Sequence, residues 1–337
     1  MEPRIKERFH DGILRDVLDR YAITRDTIRL LDGFESFLYE FNRGTRSYIL
    51  RISHSLRRTE ALIHGEVDWI NYLAAGGAPV AEAILSETRN LVEAVDDGQG
   101  DRFLATAFVR ASGKPVREMG AWTPQRYETY GRLLGRIHAL TRQYTPAEAA
   151  WTRPQWDDAG NLDVERHLPA PDFGMIEKFR AVVAHIQALP QGSNSYGLIH
   201  QDAHPGNFFI DEHGTITLFD FDDCVYSWFV YDIAMPVFYM NAGRDDAGDF
   251  TREFLPYFLQ GYARENRLDS AWLKELPYFL KLREIDLYAI IHRSFGAEYV
   301  NDPWCAGYMK NRRERILNDV PYIDTDFEEF APYLCNA

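Results

Sequence analysis

The sequence predicts an α+β chain of two lobes: a small β-rich N-lobe with one key helix, then a large, mainly helical C-lobe carrying one hairpin. Three observations carry that expectation. Strand-like runs crowd the first third, helical patterning dominates beyond about residue 120, and Ser112-Gly113-Lys114-Pro115 breaks the chain between them. The lobes are accordingly expected at residues 1–111 and 112–337. At 337 residues the chain is long for one average domain.

The elements follow in order. Phe9, Ile13, Val17 and Tyr21 lie four apart, which predicts one amphipathic helix over the first twenty residues. Runs at 27–31, 37–41 and 48–52, parted by Asp32-Gly33 and Asn42-Arg43-Gly44, predict an antiparallel meander. Ile63, Val67, Ile70 and Ala74 mark one face of a helix that Gly76-Gly77 should end. Strand signals resume around 83–95 and 103–109. Thr123 is expected to cap a helix that begins at Pro124. The stretch from about Arg142 to Pro171, rich in Trp, Pro and Asp, reads as a long excursion. Short strands are expected at 207–210 and 215–220 around the turn Asp211-Glu212-His213-Gly214. Aromatic-rich helix, punctuated by Pro236, Pro256 and Pro277, fills the remainder.

Composition narrows the function classes. Hydrophobic residues make up 46% and aromatic residues 14%, enough for a sizeable core. Lys and Arg number 37 against 51 Asp and Glu, a net charge of −14. That balance argues against nucleic acid, whose phosphates call for clustered cations. It is compatible with a cationic small substrate, although solubility alone also accounts for it. Cys224, Cys305 and Cys335 give neither a disulfide framework nor a CxxC zinc pattern. The charged N-terminus lacks a signal-peptide core, and no apolar run approaches the ~18 residues of a membrane span. A cytoplasmic, membrane-free protein is expected.

The chemistry sits in His200-Gln201-Asp202-Ala203-His204-Pro205-Gly206-Asn207, followed by Phe219-Asp220-Phe221-Asp222. Phosphoryl transfer needs a carboxylate that orients the attacking hydroxyl, and oxygen ligands that hold magnesium against the nucleotide phosphates. An Asp, an Asn five residues on, and a second Asp beyond a hairpin supply these groups. Asp202 is thus the candidate base, and Asn207 and Asp220 are the candidate metal ligands. His200, Asp202 and His204 as ligands of a hydrolytic metal form a distant alternative, because the sequence around them is turn-like. Glu66 falls on the inward flank of its helix and needs a cation there. Arg51, at the end of the third strand, is the nearest by topology. Gly33-Phe34-Glu35-Ser36, with Ser36 as its phosphate-contact candidate, falls where a turn would cover the phosphates.

These residues resemble the aminoglycoside phosphotransferase and choline kinase superfamily, a protein-kinase-like fold acting mostly on small molecules. HQDAHPGN is similar to the family's H-G-D-x-H-x-G-N, with Gln201 in place of a common Gly. Phe219-Asp220-Phe221-Asp222 resembles the family's metal-binding strand end, and Tyr231-Asp232-Ile233-Ala234 its D-L-A segment, which implies a bracing role for Asp232. Residues 131–138 resemble the helix that precedes the catalytic loop, with His138 as a packing residue. Among members, homoserine-kinase-like and bacterial stress-response-kinase-like proteins look nearest. The resemblance implies ATP and Mg2+ as cofactors. It also implies an inter-lobe hinge near Phe108–Gly113, with Val109 and Ala111 contacting adenine through their backbone. Many members carry Lys where this chain has Arg51, which keeps the charge but changes the donor geometry.

The expected function is an ATP- and Mg-dependent phosphotransferase acting on a small-molecule hydroxyl of an amino alcohol, hydroxy amino acid or aminoglycoside-like compound. A protein Ser/Thr kinase of the stress-response type and a nucleotide-binding pseudokinase stand as alternatives. Asp222, Asp223 and Asp286 are the groups that would attract a cationic acceptor, if they are not salt-bridged.

Overall fold

The computed structural model describes residues 2–33, 35–168 and 172–334. Phe34, part of the expected excursion and Cys335 lie outside the described residues. The expected N-terminal helix is two helices, α1 (Pro3–Arg8) and α2 (Asp11–Arg20). His10 breaks them: its backbone is extended, and its ring accepts the Gly12 amide at the start of α2. The four-residue periodicity survives the break, because Phe9 and Tyr21 still pack inward with Ile13 and Val17.

A six-stranded antiparallel sheet follows. Its strands are β1 (Arg29–Leu31), β2 (Phe37–Arg43), β3 (Arg46–His54), β4 (Ala83–Ile84), β5 (Glu93–Asp96) and β6 (Arg102–Val109). They lie in the order β1-β2-β3-β6-β4, with β5 also paired to β6. Between β3 and β4 runs helix α3 (Glu60–Ala75). Thr59 caps it by accepting the Leu62 amide at 3.3 Å, and Gly77 leaves it with φ of 81°.

The two faces of this sheet belong to different cores. The outer face, with Phe41, Leu50, Ile52 and Phe103, packs under Ile13, Leu14, Val17 and Tyr21 of the N-terminal helices. The inner side, through Leu104, Phe108 and the α3 residues Ile63, Val67, Trp69, Ile70 and Leu73, joins the core of the helical part. Helix α3 therefore lies between the sheet and the helices and is packed with both.

The helical part begins after β7 (Lys114–Pro115) with α4 (Pro124–Thr141), capped as expected by Thr123. The excursion holds a short helix α5 (Val164–His167) and is followed by α6 (Phe173–Gln187). Next come β8 (Tyr196–Ile199), β9 (Phe208–Ile210), β10 (Ile216–Leu218) and β11 (Val225–Trp228). Strands β9 and β10 form the expected hairpin, extended by β7, while β8 and β11 form a separate pair. Gly113 makes the β7 approach possible: a Cβ there would stand 1.9 Å from the Ile210 carbonyl oxygen, and its φ is 89°.

Helices α7 (Phe229–Met240), α8 (Ala247–Glu265), α9 (Leu276–Phe295), α10 (Pro303–Met309) and α11 (Arg312–Leu317) follow, and a 3-10 turn at Phe327–Tyr333 lies near the end of the described residues. Of the three prolines expected to punctuate it, only Pro277 does so, in the first turn of α9. Pro236 lies inside α7 and Pro256 inside α8. Ten of the twelve α7 residues are buried, and their packing outweighs the one hydrogen bond a mid-helix proline removes. Helices α4 and α8 cross at backbone contact. A Cβ on Gly131 would lie 1.8 Å from the Phe258 carbonyl oxygen, and one on Gly261 would lie 2.0 Å from that of Glu128.

Candidate active site

The loop between β8 and β9 carries the candidate base. Its shape depends on Asp232 of α7, which is fully buried and accepts the amides of His200 at 2.9 Å and Gln201 at 2.7 Å. His138 of α4 adds a bond to the same carboxylate at 3.1 Å and also meets the Tyr262 hydroxyl. Asp232 thus braces the loop from behind, as the resemblance implied, while His138, expected only to pack, also holds the Asp232 carboxylate. Gln201 has a φ of 68°. That is the left-handed region where a Cβ costs roughly 1–2 kcal/mol, and it explains why glycine suits this position in similar sequences. Both ring nitrogens of His200 are occupied, Nδ1 by the Asp202 amide and Nε2 on the Phe219 carbonyl. His200 therefore has no lone pair for a metal, which removes the hydrolytic alternative.

Asp202 is gripped on both oxygens. Arg283 Nη2 donates to Oδ1 at 2.8 Å, and Asn207 Nδ2 donates to Oδ2 at 3.1 Å. His204 Nε2 lies 3.4 Å from Oδ2. Burial alone would raise this carboxyl, but Arg283 first and then His204 outweigh it and hold Asp202 down at about 2. It is ionised at neutral pH.

Asn207 directs its amide at Asp202, reaching both the carbonyl oxygen and the carboxylate. Its Oδ1 has no hydrogen-bond partner among the described residues. The Phe219 amide donates to the Asn207 carbonyl at 2.9 Å, which brings Asp220 beside Asn207 across the hairpin. Asp220 also adopts a left-handed backbone, φ 64°, and its side chain has no hydrogen-bond donor among the described residues. Crowding by the protein and then the negative charge of Asp222, partly offset by Arg51, raise it to about 7. An unpaired amide oxygen beside a carboxylate held up by burial and then by an acidic neighbour is a donor set that a hard divalent cation would relieve.

Arg51 and Glu66 meet as a buried fork. Nη1 and Nη2 of Arg51 donate to the two Glu66 oxygens at 2.7 and 2.6 Å, tying β3 to α3. Burial opposes the charge of Arg51, but Glu66 outweighs it and raises the guanidinium above its ordinary value. Ser36 bonds Ser53 of β3 through the hydroxyls at 2.9 Å, which fixes the end of the candidate phosphate turn. At the hinge the Val109 amide is already committed to the Glu82 carbonyl at 2.8 Å, while Ala111 is buried beside it.

The acidic groups expected to draw a cationic acceptor are each met by arginine. Arg57 and Arg58 both pair with Asp222, and Arg58 reaches Asp223 at 2.6 Å. Arg283 Nη1 reaches Asp286 at 2.9 Å. Burial would raise Asp222, but Arg57 and Arg58 drive it below the usual range, whereas burial and then Asp222 push Asp223 up. Less free acidic charge faces the cleft than the sequence suggested. Arg57 also pairs with Glu35, which Arg293 of α9 meets at 2.9 Å. None of Arg57, Arg58, Arg283 and Arg293 stood out in the sequence, because no fixed spacing links them to the loops they serve.

The model of the phosphotransferase enzyme family matches residues 26–276, a span that includes the candidate base, metal-ligand and nucleotide residues named from the sequence but not Asp286. Amicoumacin kinase of Bacillus subtilis (strain 168) is 35% identical over 331 residues, covering 96% of this chain and 97% of that protein. The solved structure of amicoumacin kinase hAmiN in complex with AMP-PNP, Ca2+ and Ami superposes with a TM-score of 0.91. It is 32% identical, covering 98% of this chain and 99% of that one. A microcompartment-associated aminopropanol kinase shares the fold, with a TM-score of 0.72 at 22% identity over 92% of this chain and 98% of its own. By the family match and these relatives, this chain belongs to the phosphotransferase enzyme family, as an enzyme that phosphorylates a hydroxyl group.

Proposed function

We propose that the chain transfers the γ-phosphoryl group of ATP, with magnesium, to a hydroxyl of an amicoumacin-like small molecule. One observation carries this reading: Asn207 bonds Asp202 and lies beside Asp220 across the hairpin, in a chain that matches amicoumacin kinases along nearly its whole length. Asn207, through Oδ1, and Asp220 would hold the metal, which when bound neutralises charge on the phosphates. Arg51, held by Glu66, presents its cation toward the same end of the cleft, and Ser36 anchors the turn above it. The Val109 amide is spent, so the adenine edge would be met by the Val109 carbonyl and the Ala111 backbone. Asp202 orients the acceptor hydroxyl and takes its proton. An already ionised carboxylate suits that task, because in a loose transfer the proton leaves late. The lobes would divide between Ala111 and Ser112, just after the six-stranded sheet ends at Val109.

The test is acceptor-dependent ADP release with MgATP and amicoumacin. Wild type should turn over. Asp202→Asn should keep nucleotide binding while transfer falls about 10²–10⁴-fold, the usual contribution of a general base. Asp220→Ala should lose both and recover partly at raised magnesium. Transfer by Asp202→Asn at near wild-type rate, or no acceptor-dependent ADP release by wild type, would overturn the reading.

A further inference from the structure

Arg283 lies beyond residue 276, outside the span that matches the family model. It projects from the middle of α9, is 8% exposed, and its head group is shared among three partners. Nη2 donates to Asp202 Oδ1 at 2.8 Å and to the Tyr239 hydroxyl, and Nη1 donates to Asp286 at 2.9 Å. The guanidinium also lies 5.4 Å from the Tyr239 ring centre. Tyr239 in turn packs against His204, with ring centres 4.4 Å apart.

His204 completes a ring of contacts around the base. Its Nδ1 accepts the Gly206 amide at 2.9 Å, so in the neutral ring the proton sits on Nε2, the nitrogen 3.4 Å from Asp202 Oδ2. A side chain at Gly206 would collide with this imidazole, since a Cβ there would stand 2.5 Å from Cε1. The two oxygens of Asp202 are therefore unequal. Oδ2 faces both Asn207 and His204, whereas Oδ1, among the described residues, faces Arg283 alone. A carboxylate oxygen has two lone pairs, so Oδ1 keeps one for a further donor.

We propose that Arg283 is a positioning residue for phosphoryl transfer: it orients Asp202 so that Oδ1 receives the acceptor hydroxyl, while Asp286 and Tyr239 fix the guanidinium. This rests on the reading of Asp202 as the base. A planar fork held at three points gives one orientation, and a flexible ammonium at the same place does not. The residue acts through Asp202 and leaves the nucleotide untouched, so its removal slows transfer without weakening MgATP binding. A misplacement of about 1 Å costs on the order of 100-fold in rate, which sets the expected loss.

The experiment is a double-mutant cycle on the full chain with Arg283→Met, Asp202→Asn and the pair combined. Rates are taken at saturating MgATP and acceptor, and binding of AMP-PNP is measured separately. Arg283→Met should lose roughly 10- to 100-fold in kcat with unchanged AMP-PNP affinity. In the Asp202→Asn background the same change should cost less than about 3-fold, because the group it orients is already disabled. Arg283→Lys, measured in the same cycle, keeps the cation beside Asp286 if the Met variant fails to fold. It should recover only part of the rate. Rates near wild type for Arg283→Met, or losses that multiply in the double variant, would overturn the proposal. Near-wild-type transfer by Asp202→Asn alone would instead overturn the reading beneath it.

Discussion

Replacing Arg51 by Met tests what the buried fork contributes. Arg51 and Glu66 are 7% and 1% exposed, and their two parallel bonds of 2.7 and 2.6 Å satisfy both carboxylate oxygens. Without the guanidinium, Glu66 is left buried in the core shared by α3 and the helical part, with no other cation bonded to it among the described residues. Breaking one side of a buried pair costs about 3–5 kcal/mol, since the remaining charge has lost its solvent and its partner together. At roughly 2 °C per kcal/mol for a chain of this size, the thermal midpoint should fall by about 6–10 °C. Replacing both residues by apolar ones of similar volume, Arg51→Met with Glu66→Leu, removes the orphaned charge. The double variant should then melt within about 2 °C of wild type. Both variants should still lose AMP-PNP binding, because neither presents a cation to the phosphates. The assay is thermal unfolding by circular dichroism, paired with AMP-PNP titration. A single variant that melts with wild type, or a double variant as unstable as the single one, would refute the argument.

Removal of residues 2–25 should leave the protein insoluble or melting more than 10 °C lower, read by expression yield and thermal scan, because Ile13, Leu14, Val17, Leu18 and Tyr21 cover the outer face of the sheet. Acid should weaken the fold through His54 and His200, which burial holds below the ordinary histidine range. The unfolded chain binds those protons below about pH 6.5 and the folded chain does not, so their stabilisation is complete above that pH and fades as pH falls toward their lower folded values. Asp220, raised to about 7, acts with the opposite sign in the same window. The fall in melting temperature from pH 7.5 to 5 should therefore be clearest in Asp220→Asn, and a flat profile there would contradict it.

The parts of this molecule that the sequence reveals are those whose chemistry demands fixed offsets. Asp202, Asn207 and Asp220 are separated by one turn and one short hairpin, so geometry ties their spacing to their use. The Glu66 and Arg51 pair was inferable because helical periodicity turned a carboxylate inward, and the strand end offered one cation. Two helix ends were legible from Thr123 at the start of α4 and from Gly76-Gly77 at the end of α3. Arg283 was not, since the distance of 81 residues between it and Asp202 carries no pattern. The pair β8 and β11 was missed because four-residue strands beside an aromatic helix give no alternation to read. The break at His10 escaped notice for a different reason, because the chain restarts its helix in phase. The arginines around Asp222 turned an apparent acidic attraction into a local balance, which only three-dimensional proximity reveals.

Helix α3 is gripped from behind by the end of α4 and by the excursion that follows it. Tyr144 donates to Asp68 at 2.7 Å, Arg153 donates to the Leu62 carbonyl at 2.8 Å, and Trp69 donates to Thr141 at 3.1 Å. Gly65 meets the Trp151 backbone so closely that any side chain there would clash, its Cβ falling 2.0 Å from the carbonyl oxygen. Where such a helix can swing, it works as a clutch that engages the charge pair only on command. Here the clutch is welded shut. The Arg51–Glu66 pair is therefore expected to stay closed with or without nucleotide, and slow hydrogen exchange along α3 in the ligand-free protein would check it.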